Sequence, residues 1–218
     1  MNLEPKQKYL VHKNSRATRP FSGKDEVLDT SDMFETVLSV LCSEPWRWDL
    51  FGSSEIRFRQ DGTGELICRA ELNVWIAAEV EWKPRHAESL NQEFNPNQHD
   101  SALVHQIEIE LTLTKRRIPD LGGVDMFGYR INEDVLEEEA FMPKTYIICL
   151  EKGSFHAQSH QPQEEQPLVE QTGKFELRLT FNPSPYPPRQ EWKQPDRAPD
   201  AMMFWEWTQF CCRQIDSI

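Results

Sequence analysis

The stretch LICRAELNVWIAAEVEW, residues 66–82, decides the fold. All of its even positions are apolar, and most of its odd positions are polar or charged. Such a period of two indicates β-strands with one buried face. The 17 residues would span roughly 56 Å as one strand, which is too long for a compact domain. The sequence therefore predicts two antiparallel strands with a turn near Glu71-Leu72-Asn73.

The same alternation recurs on both sides of this stretch. Ile56 and Phe58 precede it, and apolar residues alternate again over residues 103–113 and 175–181. Together these stretches predict about six to eight mostly antiparallel strands. A sheet of this kind closes on itself as a barrel or packs against a second sheet.

The turn signal at residues 61–64, Asp-Gly-Thr-Gly, predicts the first hairpin. Residues that face each other across a strand pair point to the same side of the sheet. The alternation of apolar and polar positions, called the apolar parity below, therefore predicts the register. The predicted facing pairs are Phe58 with Leu66, Arg59 with Glu65, and Glu55 with Arg69.

Helical spacing occurs near both ends of the β pattern. Apolar residues over Met33–Leu41 lie three or four positions apart, and Asp32 and Glu35 have the spacing of a capping box. A second helix is predicted over Asp200–Cys212. The predicted fold class is therefore mainly β, an antiparallel β-barrel with an N-terminal helix and a C-terminal helix.

The charge balance of the chain is acidic. Of 218 residues, 24 are Lys or Arg and 36 are Asp or Glu, which gives a formal net charge of −12. General nucleic-acid binders neutralise phosphates with basic side chains, so this class is excluded. No apolar run approaches the ~20 residues that a membrane helix needs, so no membrane insertion is predicted.

Residues 1–30 differ from the rest because they carry six basic and four acidic side chains. We predict a disordered basic leader over residues 1–30 and a single barrel domain over residues 31–218. A weak organelle-targeting segment is the alternative interpretation of the leader. The five cysteines are odd in number and lack metal-ligand spacing, and the N-terminus has no apolar secretory stretch. These features predict a reduced, cytoplasmic protein without a metal site.

The order of elements resembles that of the calycin group, which comprises the lipocalins and the fatty-acid-binding proteins. The matching parts are the two predicted helices, the hairpins, and the tryptophans Trp46 and Trp48 in the first strand. The lipocalin Gly-x-Trp motif is absent from this position. Residues 48–53 and 184–189 are also similar to uncharacterised proteins of filamentous fungi. The lipocalin resemblance implies a cavity that holds a small hydrophobic molecule.

The apolar parity assigns one set of side chains to the inside of the barrel. Two interpretations stay open, because such side chains either line a ligand cavity or fill a core. His105 shares this parity, either as a polar anchor or general base in the cavity or as a solvated rim residue. The predicted ligand-binding residues are Phe58, Cys68, Ile76, His105, Ile107, Ile109 and Leu177.

Two further features lie outside this set. Trp75 falls on the outer parity, where it stacks on Arg69, sits beneath a helix, or contributes to binding. The proline-rich segment 183–199 either docks on a partner or lies over the sheet as a structural strap anchored by Tyr186. The acidic residues of the outer parity, Glu79, Glu81, Glu108 and Glu110, are predicted to form a solvated face.

The sequence contains no phosphate-binding glycine loop, no Gly-x-Ser-x-Gly turn and no His-Glu-x-x-His pair, so no cofactor is predicted. The leading hypothesis is the binding of a small hydrophobic ligand in a lipocalin-like barrel cavity. The alternative is a cofactor-free enzyme of the isomerase or cyclase type, in which His105 is the catalytic residue. The third hypothesis is a protein-interaction module that uses the proline-rich segment and the C-terminal aromatic helix.

Overall fold

A computed structural model describes residues 35–70, 72–94, 103–121, 123–126, 128–158 and 173–215. The prediction for residues 1–30 and the predicted helix cap at Asp32 lie outside these residues. Within them, no helix is both long enough and apolar enough to cross a membrane.

Eight antiparallel strands form a closed ring. In chain order they are β2 (Trp46–Arg47), β3 (Glu55–Phe58), β4 (Thr63–Ala70), β5 (Asn73–Pro84), β7 (Leu103–Arg117), β10 (Lys144–His156), β11 (Lys174–Asn182) and β12 (Gln209–Ile215). Around the ring the order is β10, β11, β12, β2, β3, β4, β5 and β7, and β7 pairs with β10. Two short pairs lie outside it, β1 (Glu35–Thr36) with β6 (Glu93–Phe94), and β8 (Asp120–Leu121) with β9 (Val124–Asp125). The prediction of a mainly β, antiparallel fold is confirmed.

In the first hairpin each residue lies on its predicted face of the sheet, but the two strands pair in a different register. The predicted pairs of Phe58 with Leu66, Arg59 with Glu65 and Glu55 with Arg69 are wrong by two residues. Because the shift is even, every side chain keeps its predicted face. The observed pairs are Glu55 with Ile67, Ile56 with Leu66, Arg57 with Glu65, and Phe58 with Gly64.

The shift arises because the turn is tighter than predicted. The Arg59 N–H donates to the Thr63 carbonyl at 2.8 Å, and Gly62 adopts a positive φ of 85° between them. Glycine takes this conformation without steric cost, so the chain reverses within a few residues. Arg59 and Glu65 still form an ion pair, although Glu65 directly faces Arg57 and Arg59 lies two residues further along the chain.

The connection between β4 and β5 is also short, and a β-bulge follows it. Ala70 faces Asn73, so the turn predicted near residues 71–73 is present. Further along, Arg69 faces Val74, whereas Cys68 faces Ile76. Trp75 therefore has no facing residue in β4 and is the extra residue of a bulge in β5. Val74 consequently packs in a small apolar cluster with Ile67 and Ala77, on the outer face of the sheet. The alternation alone predicts an inner position for Val74. After the bulge, the even-numbered residues of β5 from Ile76 to Trp82 are again buried in the core of the ring.

The predicted N-terminal helix over Met33–Leu41 is not supported. Helix α1 comprises only Val37–Leu41, and the two residues before it form β1. The helix is capped by Thr36, whose hydroxyl accepts a hydrogen bond from the Ser39 N–H at 3.1 Å. Strand pairing of Glu35 and Thr36 with β6 therefore replaces the helix before Val37 in the described residues.

The predicted C-terminal helix over Asp200–Cys212 is wrong. Helix α2 comprises only Ala198–Met202 and ends where Met203 adopts a left-handed φ of 48°. Phe210 and Cys212 then lie in β12 with both side chains buried in the core. This segment has apolar residues at both helical and strand spacing, and its pairing with β11 and β2 decides the outcome. Without that strand the ring would not close.

The charged residues of the sheet lie on its outer face, as predicted. Arg116 donates to Glu79 at 2.6 Å and to Glu81 at 2.8 Å. Lys83 pairs with Glu110 at 2.7 Å. Ion pairs exposed to this degree contribute only about 0.2–1 kcal/mol each, so they favour one register more than they stabilise the fold.

The proline-rich segment 183–199, called the strap below, packs on the core of the ring. Ser184, Tyr186 and Trp192 are buried in it. Lys144 of β10 forms an ion pair with Glu191 of the strap, and both side chains are largely buried. The strap is thus an integral part of the fold.

Candidate functional site

The ring interior contains six of the seven predicted ligand-binding residues. Each is at most 2% exposed, and all belong to one hydrophobic cluster. Burial raises the pKa of the Cys68 thiol well above its ordinary value, so this thiol is unreactive. The six residues are Phe58, Cys68, Ile76, Ile107, Ile109 and Leu177.

Aromatic rings lie among these side chains. The Phe181 ring is nearly parallel to the Phe58 ring, with centroids 6.4 Å apart, and meets the Phe210 ring edge to face at 5.5 Å. Trp82 contacts Phe58 edge to face at 5.1 Å. Aromatic pairs at these distances are typical of a packed core. The role of the six residues as the lining of a ligand cavity stays a prediction.

Tyr186 carries the strap into the same core. Its hydroxyl donates to the Ile67 carbonyl at 2.7 Å, and its ring lies 6.0 Å from that of Phe210. Burial raises the pKa of this phenol well above its ordinary value, so the group stays a neutral donor. Tyr186 therefore anchors the strap, as the structural interpretation of this segment predicts.

His105 lies apart from the interior set. Its imidazole is partly exposed, and Nδ1 is 3.1 Å from the side-chain oxygen of Gln92. Partial burial lowers the pKa of His105 below its ordinary value, so the neutral form dominates at neutral pH. Its roles as a ligand-binding or catalytic residue stay predictions.

A cleft of about 250 Å³ lies outside the ring, between β5 and the strap. Its walls are residues 73–75 at the start of β5, residues 130–135 after β9, and residues 192–199 of the strap and α2. We call it the strap cleft. The side chains in it that carry chemistry are Trp75, Arg130, Asp134, Trp192, Lys193 and Arg197.

Trp75 supplies the most unusual group in the strap cleft. Its Nε1–H is buried and has no hydrogen-bond partner in the structure. Trp192, in contrast, donates its Nε1–H to the Pro187 carbonyl at 2.9 Å. Nearly all buried donors in folded proteins are paired, so an unpaired donor on a residue that lines a cleft singles out that cleft.

The two indoles of the strap cleft are held by a common neighbour. The Phe204 ring lies 5.3 Å from that of Trp192 and 6.3 Å from that of Trp75. Phe204 is fully buried. The aromatic walls of the cleft therefore rest on the core and are preformed.

Four charged side chains line the strap cleft, and two of them are unpaired. Asp134 accepts a hydrogen bond from Arg117 at 2.8 Å, and Lys193 donates to a backbone carbonyl at 2.6 Å. Arg130 and Arg197 are exposed, and neither has an ion pair or a side-chain hydrogen bond within the described parts of the chain. The cleft is therefore positively charged, although the protein is acidic.

Comparison with known proteins gives one partial similarity. No protein family matches the chain, and no solved structure matches it. A stretch of 115 residues, 52% of this chain, is 35% identical to the citrinin polyketide synthase of Monascus ruber and to that of Monascus purpureus. The stretch amounts to 4% of the length of each synthase. The chain thus spans a small part of the relatives that it matches.

A second cleft of about 370 Å³ lies between the β3–β4 turn and β7. It is more open, and its lining residues include the carboxylates Asp61, Glu81 and Glu110. The indole of Trp82 in this cleft already donates to two backbone carbonyls, at 3.0 and 3.1 Å. No donor there needs a ligand, so the strap cleft is the stronger candidate.

Sequence reasoning singled out Trp75 and the segment 183–199, which supplies one wall of the strap cleft, but not Arg130 or Asp134. Trp75 stood out as an aromatic residue on the outer parity, and it lies near Phe204 from the segment after α2 instead of stacking on Arg69. Arg130 and Arg197 lie outside the alternating stretches. No periodic pattern marks residues of this kind, because only folding brings them together.

Proposed function

We propose that the protein binds a small, partly apolar organic molecule in the strap cleft. The observation that carries this proposal is the Nε1–H of Trp75, which is buried beside the cleft without an acceptor. Leaving such a donor unpaired costs about 1–3 kcal/mol. In the proposal, a small shift of Trp75 brings this N–H to an acceptor oxygen of the ligand, which offsets the cost, and the indole ring adds apolar contact.

The dimensions of the strap cleft support a ligand of one or two rings. Its volume of about 250 Å³ lies just below the range of roughly 300–1,000 Å³ that is typical of small-molecule sites. Trp75 and Trp192 supply flat apolar walls, and polar side chains surround them. Apolar walls with a few polar groups are the usual composition of such sites.

The partial similarity to the citrinin polyketide synthases supports the same class of ligand. Polyketides combine carbon rings and chains with oxygen substituents, so they offer both apolar faces and hydrogen-bond acceptors. We therefore propose polyketide-like aromatic compounds as the first ligands to examine.

The proposal retains the small hydrophobic ligand of the leading hypothesis and moves its site. In it, the closed ring is a lipocalin-like barrel with a packed interior, and the strap and the bulge of β5 form the site outside. The aromatic contacts of Phe58 and Phe181 favour this arrangement over a ligand inside the ring.

Calorimetric titration with 2-naphthalenemethanol tests the proposal. The variant Trp75→Leu removes both the N–H donor and the aromatic wall, so it should bind this probe at least about tenfold more weakly. Phe51→Ser is the matched control because Phe51 is 91% exposed and lies outside the cleft. Its affinity for the probe should equal that of the wild type.

The outcome that contradicts the proposal is equally specific. If Trp75→Leu keeps its circular dichroism spectrum and binds the probe as tightly as the wild type, the strap cleft is not the site. If the wild type binds neither this probe nor the carboxylate of the same shape, 2-naphthoate, the proposal is contradicted as well.

A further inference from the structure

We infer that the ligand of the strap cleft is an aromatic organic anion, an inference that rests on the proposed function. Arg130 and Arg197 line the same cleft as Trp75, and both guanidinium groups are without partners in the described residues. Two unpaired cations that line one cleft form a donor set that lacks its acceptor.

Three acidic residues close to these arginines in the chain are already engaged by other arginines. Arg117 donates to Glu133 and to Asp134, both at 2.8 Å, so the two acids that follow Arg130 are paired with another cation. The pKa of Arg117 is raised by these two hydrogen bonds against the opposing effect of burial. Arg130 itself lines the cleft without an ion pair in the described residues.

The same arrangement occurs at the other wall of the cleft. Arg189 donates to both carboxylate oxygens of Asp200 at 2.7 Å, and this pairing lowers the pKa of Asp200. Asp200 lies three residues after Arg197 and is thus unavailable to it, and Asp196, directly before Arg197, forms no ion pair with it in the described residues. In a chain of net charge −12, two unpaired arginines in one cleft indicate that the acceptor comes from outside.

A carboxylate on an aromatic ring matches these groups. Its two oxygens accept from the fork of a guanidinium, and together they accept up to about four hydrogen bonds. The rings of Trp75 and Trp192, which line the same cleft, pack against the aromatic part. Arginine binds carboxylates in this way more specifically than lysine does.

A pair of probes of matched shape tests the inference. The carboxylate 2-naphthoate and the neutral 2-naphthalenemethanol differ in charge but hardly in size. At low salt the wild type should bind 2-naphthoate about tenfold more tightly, and salt should reduce this preference because the arginines are exposed.

Substitutions then assign the preference to the two arginines. The double variant Arg130→Gln, Arg197→Gln should bind both probes with equal affinity. The double variant Lys83→Gln, Lys174→Gln is the matched control, because both exposed lysines lie outside the cleft and their loss also changes the net charge by two units. The control should keep the preference for 2-naphthoate.

The failures of the inference and of the proposed function are distinguishable. If both probes bind equally to the wild type and binding still depends on Trp75, the inference is overturned and the proposed function stands. A preference that survives in the double arginine variant also overturns the inference. If neither probe binds, both are overturned.

Discussion

Trp75 connects an irregularity of the backbone with the candidate site. It is the extra residue of a β-bulge in β5, and its side chain lies in the strap cleft. Bulges often reorient side chains beside functional sites. The apolar parity alone places Trp75 on the outer face, but the bulge and the unpaired N–H emerge only from the folded chain.

Tyr186 is the residue on which the strap depends most. The variant Tyr186→Phe removes the hydroxyl and leaves the buried Ile67 carbonyl without this donor. We expect the free energy of unfolding to fall by about 1–3 kcal/mol, measured by urea denaturation. Tyr129→Phe is the control, because Tyr129 is exposed and should change stability by less than about 0.5 kcal/mol. Equal stability of Tyr186→Phe and the wild type would show that the hydrogen bond does not hold the strap.

Among the elements, the hairpin of β3 and β4 shows what alternation predicts and what it leaves open. The face of each residue follows from a period of two, so Ile56 and Phe58 point inward as predicted. The register depends on the turn, and Gly62 permits a tighter turn than the one predicted. A shift of two residues leaves the hydrophobic pattern unchanged, which is why the pattern did not reveal it.

The observed register gives Gly64 a structural requirement that the predicted one does not. A Cβ at Gly64 would lie 2.2 Å from the Arg57 carbonyl oxygen and 2.9 Å from a methyl group of Val80. The variant Gly64→Ala should therefore lower the free energy of unfolding by about 1–3 kcal/mol or more, since backbone must move. Thermal unfolding followed by circular dichroism measures this loss.

Gly153→Ala is the control for the hairpin variant. A Cβ at Gly153 meets only the far end of the Phe155 ring, which can rotate away. The control should lose clearly less stability than Gly64→Ala. If Gly64→Ala is as stable as the wild type, Phe58 does not face Gly64 and the register is wrong.

The predicted C-terminal helix failed for a related reason. Phe210 and Cys212 fit a strand, and Phe210 with Trp207 also fits helical spacing, so the sequence pattern alone was ambiguous. Pairing of β12 with both β11 and β2 settled the conformation, and these partners are distant in sequence. Local propensity yields to such long-range pairing when a ring must close.

At the scale of the whole molecule, the scaffold was more predictable than the site. The ring is built from long alternating stretches, whereas the strap cleft joins residues 73–75, 130–135 and 192–199. Each of these segments begins or ends at a turn, a loop or a short helix. Which side chains meet there depends on the closed ring and on the strap that packs against it.

We propose that the ligand binds in the strap cleft and not inside the ring. Indole N–H resonances of the seven tryptophans can be followed by two-dimensional ¹H–¹⁵N NMR during titration with 2-naphthoate. Trp75 and Trp192 line the cleft, while Trp46 is fully buried in the core. We predict that the Trp75 resonance shifts most and that the Trp46 resonance stays in place. A shift of the Trp46 resonance with an unmoved Trp75 resonance would place the ligand inside the ring and contradict the proposal.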